Sequence, residues 1–217
     1  MLAFIDCFIE EPVHNCFNQF ILKSKIPATY HMASQFGLES LTNISEATTG
    51  YIILGSASNL DQNLPWHRPL AEFVDHQLNL NKPTLGICFG HQLMASFYGC
   101  EVGYITPEKE YFKEIREIVF QKDFTQFKKN QKIKLAYAHE QGVTKLSHHF
   151  EIMAKSERSS FECIRHRSLP LISTQAHPEA SASFIRDNIK GHVPEQVINF
   201  GHEFIMSFLK EYKVLSQ

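Results

Sequence analysis

Several things are scarce in this chain, and each scarcity excludes something. Nothing approaches the run of about eighteen apolar residues that a membrane span needs, so no membrane association is expected. Charge of one sign is not in excess: a net charge of −2 on 217 residues gives no electrostatic reason to expect a nucleic acid. The five cysteines (Cys7, Cys16, Cys88, Cys100 and Cys163) are odd in number and widely spaced, with no C-x-x-C pair. That pattern argues against a disulfide framework and for a reducing, cytoplasmic setting. No targeting segment is expected, because the apolar start Leu2-Ala3-Phe4-Ile5 has no basic residues before it and meets Asp6, Glu10 and Glu11 at once. There is no internal repeat and no low-complexity stretch. The twelve histidines, His148-His149 among them, show no metal-ligand spacing, so no metal and no cofactor are expected. The basic cluster 122–134 reads as a solvated hairpin loop.

What is present is an alternation of short apolar runs and amphipathic stretches, with 43% hydrophobic and 20% charged residues. Strands are expected at 2–9, 28–32, 51–54 and 84–88, and helices at 13–23, from Pro65-Trp66 to about Leu80, and at 91–98. This βα order argues for an α/β fold, a doubly wound and mostly parallel sheet with flanking helices. From about Val102 to Ser173 the texture changes to short strands, at 115–120, 133–138, 150–154, 162–166 and 171–174, expected to add antiparallel strands to the sheet edge. A helix over about 194–214 closes the chain, and residues 1–217 are expected to form one domain. Cys7 reads as first-strand packing, and Pro65 to Arg68 as a candidate substrate mouth.

The most informative stretch is Gly86-Ile87-Cys88-Phe89-Gly90-His91-Gln92. One cysteine between two glycines, directly after an apolar strand, is the pattern of a nucleophile on a sharp strand-to-helix turn. The glycines serve the strain of that turn and the close backbone packing beside it. A thiol there sits at a helix N-terminus, where free N–H groups favour the thiolate. Far downstream, a second apolar strand ends in Gln175-Ala176-His177-Pro178-Glu179. Thiolate chemistry needs an imidazole to take and return a proton, and a carboxylate to hold that imidazole. Cys88, His177 and Glu179 supply all three parts.

These two motifs, in this order and about ninety residues apart, resemble the class I (triad) glutamine amidotransferases. The segment Tyr51-Ile52-Ile53-Leu54-Gly55-Ser56-Ala57-Ser58 is similar to the strand and oxyanion loop of that family. The resemblance implies that Cys88 attacks a γ-glutamyl amide to give a thioester, with His177 as base and then acid and Glu179 as its orienter. It implies an oxyanion hole from the backbone of Phe89 and of the Gly55-Ser56 loop, each donor worth about 3 kcal/mol. It implies that Gln92 helps to hold the substrate.

The chain departs from the family pattern at Ser56 and Ala57, where a glycine and a proline are usual, and at Ala176, where an aromatic residue is usual. In Ala138-His139-Glu140-Gln141-Gly142-Val143, which resembles the substrate-side turn, Gln141 replaces an aspartate. A left-handed backbone at Ser56 would be strained. None of these touches the triad, and together they imply a changed substrate or partner. Three readings stay open. The chain is a glutaminase subunit that passes ammonia to a separate synthetase. Or it is a stand-alone γ-glutamyl hydrolase or peptidase, like members similar to the amidotransferase domain of GMP synthase. Or it is a non-enzymatic regulatory or binding domain.

Overall fold

Four apolar runs are buried along their whole length and form a parallel core: β1 (Leu2–Asp6), β3 (Gly50–Ile53), β4 (Thr84–Ile87) and β11 (Leu171–Thr174). A strand buried on both faces has no polar side to present, which is why these runs do not alternate. In the computed structural model, which describes residues 1–12, 14–189 and 194–214, these strands lie in one nine-stranded sheet. Its order is β2-β1-β3-β4-β11-β10-β9-β6-β7, with β2 at Ala28–Met32, β6 at Phe112–Phe120, β7 at Lys132–His139, β9 at Phe150–Lys155 and β10 at Cys163–His166. The pairs from β2 through β11 are parallel, and β10, β9, β6 and β7 add on antiparallel. The change of texture near Val102 marks the start of the antiparallel strands with one exception: residues 171–174, expected at the antiparallel edge, form β11, which is buried along its whole length and pairs parallel with β4 inside the core, meeting only β10 antiparallel.

Helices cover both faces. On one side α1 (His14–Ser24) and α7 (Glu195–Glu211) supply Phe20, Phe204, Phe208 and Leu209 to a core shared with Phe4, Ile52 and Leu85. On the other, α4 (His67–Asn79) and α5 (Phe89–Phe97) supply Leu70, Val74, Leu93 and Met94 against Ile5, Tyr51, Ile53 and Cys7. Two short helices, α2 (Ala33–Phe36) and α3 (Glu39–Asn43), link β2 to β3, and α6 (Ala182–Ile189) follows β11.

The element bounds differ from the sequence expectation in instructive places. Val13, the expected first residue of α1, lies outside the described residues. Helix α4 begins at His67, because Pro65 and Trp66 form the turn before it, and Pro69 sits in its first turn, where no N–H is needed. Helix α5 begins at Phe89, two residues earlier than its apolar pattern suggests, because the elbow consumes one residue only. Two strands were not expected: β5 (Glu101–Tyr104) and β8 (Gln141–Lys145) pair antiparallel in a small separate sheet. Both are short and carry a glycine, so only their mutual pairing reveals them.

Parallel strands β3, β4 and β11 share one C-terminal edge. The oxyanion-type loop, the cysteine elbow and the histidine turn each follow one of these strands. The fold thus brings together three segments spread over more than one hundred residues of sequence.

Candidate active site

Cys88 is the hinge of the site. Its backbone has φ 49° and ψ −100°, a left-handed φ that a side-chain-bearing residue rarely adopts. Such a conformation costs about 1–3 kcal/mol and persists only where the surroundings enforce it. They do so through the N–H of Cys88, which donates to Thr174 O at 2.8 Å, and its carbonyl, which accepts from Gln92 N at 3.0 Å. The flanking glycines have different jobs. A Cβ on Gly86 would lie 2.7 Å from Gly90 O, and one on Gly90 would lie 2.7 Å from Ile53 Cβ. Both distances are impossible, so no side chain can replace either hydrogen. The elbow motif is therefore a packing requirement as well as a chemical one.

His177 meets Cys88 from the turn after β11. Its Nδ1 bonds Glu179 Oε1 at 2.8 Å, and its backbone N–H donates to Ala136 O at 2.8 Å, fixing ring and chain. Its Nε2 is buried, makes no hydrogen bond of ordinary geometry, and interacts with the sulfur of Cys88. Burial opposes the charged imidazolium, yet the carboxylate of Glu179 and the sulfur of Cys88 outweigh it and hold the ring well above the usual histidine value. Two neighbouring buried histidines behave oppositely. His91, bonded through Nδ1 to Ser173 Oγ at 2.8 Å, and His139, which donates from Nδ1 to Gln141 O at 2.9 Å, are each pushed down to about 3, chiefly by burial. Of the three, His177 is the one whose surroundings favour the charged ring.

The Gly55-Ser56 loop closes over this pair. A Cβ on Gly55 would fall 2.9 Å from His177 Cε1 and 3.6 Å from Cys88 Cβ, so glycine is what lets the loop backbone reach the reacting atoms. Ser56 is not in a left-handed conformation, so the strain that its substitution for glycine threatened does not arise. Instead its hydroxyl accepts from Ser58 N at 3.0 Å and contacts Ser58 Oγ at 2.8 Å, and Ser58 Oγ reaches His67 Nε2 at 3.3 Å. The Ser56–Ser58 pair braces the loop. Phe89 opens α5, where the first backbone N–H groups have no partner within the helix.

Glutamines do more here than the sequence suggested. Gln92 Nε2 donates to Gln141 O at 2.7 Å and to Gln175 Oε1 at 3.1 Å. Both of its amide hydrogens are spent, so its carbonyl oxygen is the atom it can offer a substrate ammonium. Gln175, thus oriented, donates from Nε2 to Cys88 Sγ at 3.5 Å. Its place two residues before His177 was visible in the sequence, but its role was not. Across the opening, Asn59 donates to Glu140, and Gln141 Nε2 donates to Asp61 Oδ2 at 3.2 Å. These bonds clasp the 59–62 segment to the turn at 139–141. The cavity left above Cys88 and Gln92 is about 30 Å³, the room of one water. Pro65 and Trp66 do not line this cavity, and Trp66 packs its ring on Phe89 at 5.1 Å between centroids.

A second cavity, about 410 Å³, lies on the His177 side of the same opening. Half-exposed Tyr111, whose hydroxyl donates to Ala138 O at 3.4 Å, lines both spaces. Burial pushes that tyrosine up to about 12, helped by the nearby Cys88, Glu140 and Glu10.

Comparison with known proteins shows the family and the fold. The family model described as glutamine amidotransferase class-I matches residues 4–189. The chain is 36% identical over 111 residues to a glutamine-hydrolyzing GMP synthase subunit from Pyrococcus furiosus, covering 51% of this chain and 57% of that protein. It is 31% identical over 137 residues to the subunit of the same name from Methanopyrus kandleri, covering 63% and 70%. The chain thus spans little more than half the length of the first of these relatives. A glutamine amidotransferase crystal structure from Methylobacillus flagellatus superposes with a TM-score of 0.76 at 16% identity, over 96% of this chain and 94% of that one.

Proposed function

Because the chain belongs to the class-I glutamine amidotransferase family, we propose that it hydrolyses a γ-glutamyl amide, glutamine being the simplest, through a thioester on Cys88. The observation that carries this reading is a strained, positive-φ cysteine facing a buried histidine whose Nδ1 is held by Glu179 and whose Nε2 is kept free of other partners. A purely regulatory domain has no use for that strain.

In the first half-reaction the Cys88 sulfur adds to the γ-carbonyl carbon, and the developing oxyanion is met by backbone N–H groups at Phe89 and in the Gly55-Ser56 loop. The C–N bond breaks as His177 gives its Nε2 proton to the leaving nitrogen. In the second, a water loses a proton to His177 and attacks the thioester, releasing glutamate and restoring the sulfur. Glu179 keeps the imidazole in the tautomer and orientation that both steps need. The oxygen of Gln92 serves the substrate's α-ammonium.

The relatives are named as glutamine-hydrolyzing subunits, so the passing of ammonia to a separate synthetase chain is the alternative reading of the same Cys88 chemistry. We take residues 1–217 to act as one amidotransferase unit. The cysteines are all free and buried, which suits a reducing compartment such as the cytoplasm. Glutamate release from glutamine and from a γ-glutamyl dipeptide tests the reading. Cys88→Ala is expected to abolish release from both while leaving the circular dichroism spectrum intact. Glu179→Gln is expected to slow release by a smaller factor. Turnover near the parental rate without Cys88 would sink the assignment.

A further inference from the structure

The nitrogen that departs in thioester formation leaves towards the acid that protonates it. The acyl group therefore occupies the Cys88 side of the opening, and the leaving group the His177 side. The two sides are unequal. The space beside Cys88 measures about 30 Å³, and the space beside His177 about 410 Å³. Ammonia is about the size of a water, roughly 30 Å³, so the larger chamber has an order of magnitude more room than the leaving group of glutamine requires.

We propose that this chamber is a leaving-group subsite, and that the substrate class is a γ-glutamyl dipeptide whose second residue is an apolar amino acid with a free carboxylate. The inference rests on the reading of Cys88 as the acyl acceptor. Its walls match that chemistry. Phe8 and Phe184 offer aromatic surface, while Lys113 and Glu10 bring one ammonium and one carboxylate. In the intact dipeptide the amide nitrogen is neutral and the terminal carboxylate faces Lys113. After the C–N bond breaks and His177 delivers its proton, the freed amine takes up a second proton from water, and its new positive charge faces Glu10. Beyond Phe8, Phe184 and Asn188 the surface continues into a further cavity of about 240 Å³, which carries Glu11 and Asp187. Their charges oppose a longer acidic chain, so the match is to a single amino acid rather than to a poly-γ-glutamyl tail. Tyr111 stands in the wall between acyl and leaving sides, held to Ala138 O.

The test compares kcat/KM for glutamine, γ-glutamyl-leucine and γ-glutamyl-leucinamide, which lacks the carboxylate, in the parent protein and in Lys113→Gln. The parent is expected to prefer γ-glutamyl-leucine to glutamine by at least about tenfold. The ratio of γ-glutamyl-leucine to γ-glutamyl-leucinamide should fall about fivefold in Lys113→Gln, the size of one solvent-screened ion pair. Glutamine used as well as the dipeptide, or a ratio that Lys113→Gln leaves unmoved, would overturn the subsite. A glutamine-only activity would do the same and would leave the chamber to a protein partner. If no compound is turned over, a diazoketone analogue of glutamine separates the two claims. Alkylation of Cys88 would keep the acyl site and remove the subsite, and an unmodified Cys88 would remove both.

Discussion

At the scale of single residues, the site is a set of contacts that only particular side chains can make. The sulfur of Cys88 is approached by the Gln175 amide, and that amide is aimed by Gln92. A donor there favours negative charge on sulfur, whereas a carboxylate would oppose it. In Gln175→Glu the pH at which iodoacetamide alkylates Cys88 at half its maximal rate is expected to move upward. Gln175→Leu should move it less. A residue that merely filled space would change the rate but not the pH midpoint, so an unmoved midpoint would reduce Gln175 to packing. Cys88, His177, Glu179, Phe89 and the Gly55-Ser56 loop could be singled out in the sequence because they sit in contiguous motifs, and the fold brings these motifs to one sheet edge. Gln175 lay in the same motif, yet its partners, Gln92 and Cys88, are more than eighty residues away. Local pattern carries no sign of such a contact.

At the scale of elements, the turn that carries His177 depends on a helix that contributes none of the candidate site residues. A Cβ placed on Gly201, in the middle of α7, would come 2.3 Å from Pro178 O, in the turn between His177 and Glu179. Gly201→Ala must therefore push the turn or the helix apart. Overpacking of this kind costs about 1–3 kcal/mol, and here the displaced atoms adjoin the imidazole. The expected outcome is a lower urea midpoint together with a fall in kcat larger than the change in KM. Parental kcat in a destabilised Gly201→Ala would show that the turn does not take the strain. The other side of the turn is underpinned by β10 and its approach, where buried Glu162 pairs with Arg116 Nη1 at 2.8 Å and Glu162 O accepts from Gln175 N at 2.9 Å. Strands β1, β3 and β4 and the later antiparallel strands were legible because uninterrupted apolar runs differ from alternating ones, whereas the place of β11 in the parallel core was not, since its partner β4 lies more than eighty residues earlier. Strands β5 and β8 were not, because four or five residues with a glycine carry no period and gain their form from each other.

At the scale of the whole molecule, burial of polar side chains on both sides of the sheet links stability to pH. His91 and His139 titrate at about 3 in the fold against an ordinary 6.5. The unfolded chain then binds more protons between those values, so their contribution is complete above about pH 6.5 and is lost as the pH falls towards 3. Each costs about 1.4 kcal/mol per pH unit within that window. His177 works in the opposite sense, since its raised value adds stability below pH 6.5 that fades as the pH rises through its folded value. Urea midpoints measured from pH 7 to pH 4 should fall, and the fall should be shallower in His91→Asn. A flat profile would mean that these histidines are hydrated in solution. The same arrangement favours the charged ring at His177, beside Cys88, and the neutral ring at His91 and His139.

The central claim is that Cys88 carries the γ-glutamyl group, and one measurement meets it directly. The protein is mixed with γ-glutamyl-leucine or glutamine, quenched in acid within the first turnovers, digested and mapped by mass. The expected result is a γ-glutamyl adduct on the peptide that contains Cys88, absent from Cys88→Ala. Glutamate release with no adduct on that peptide, or with the adduct on another residue, would contradict the account.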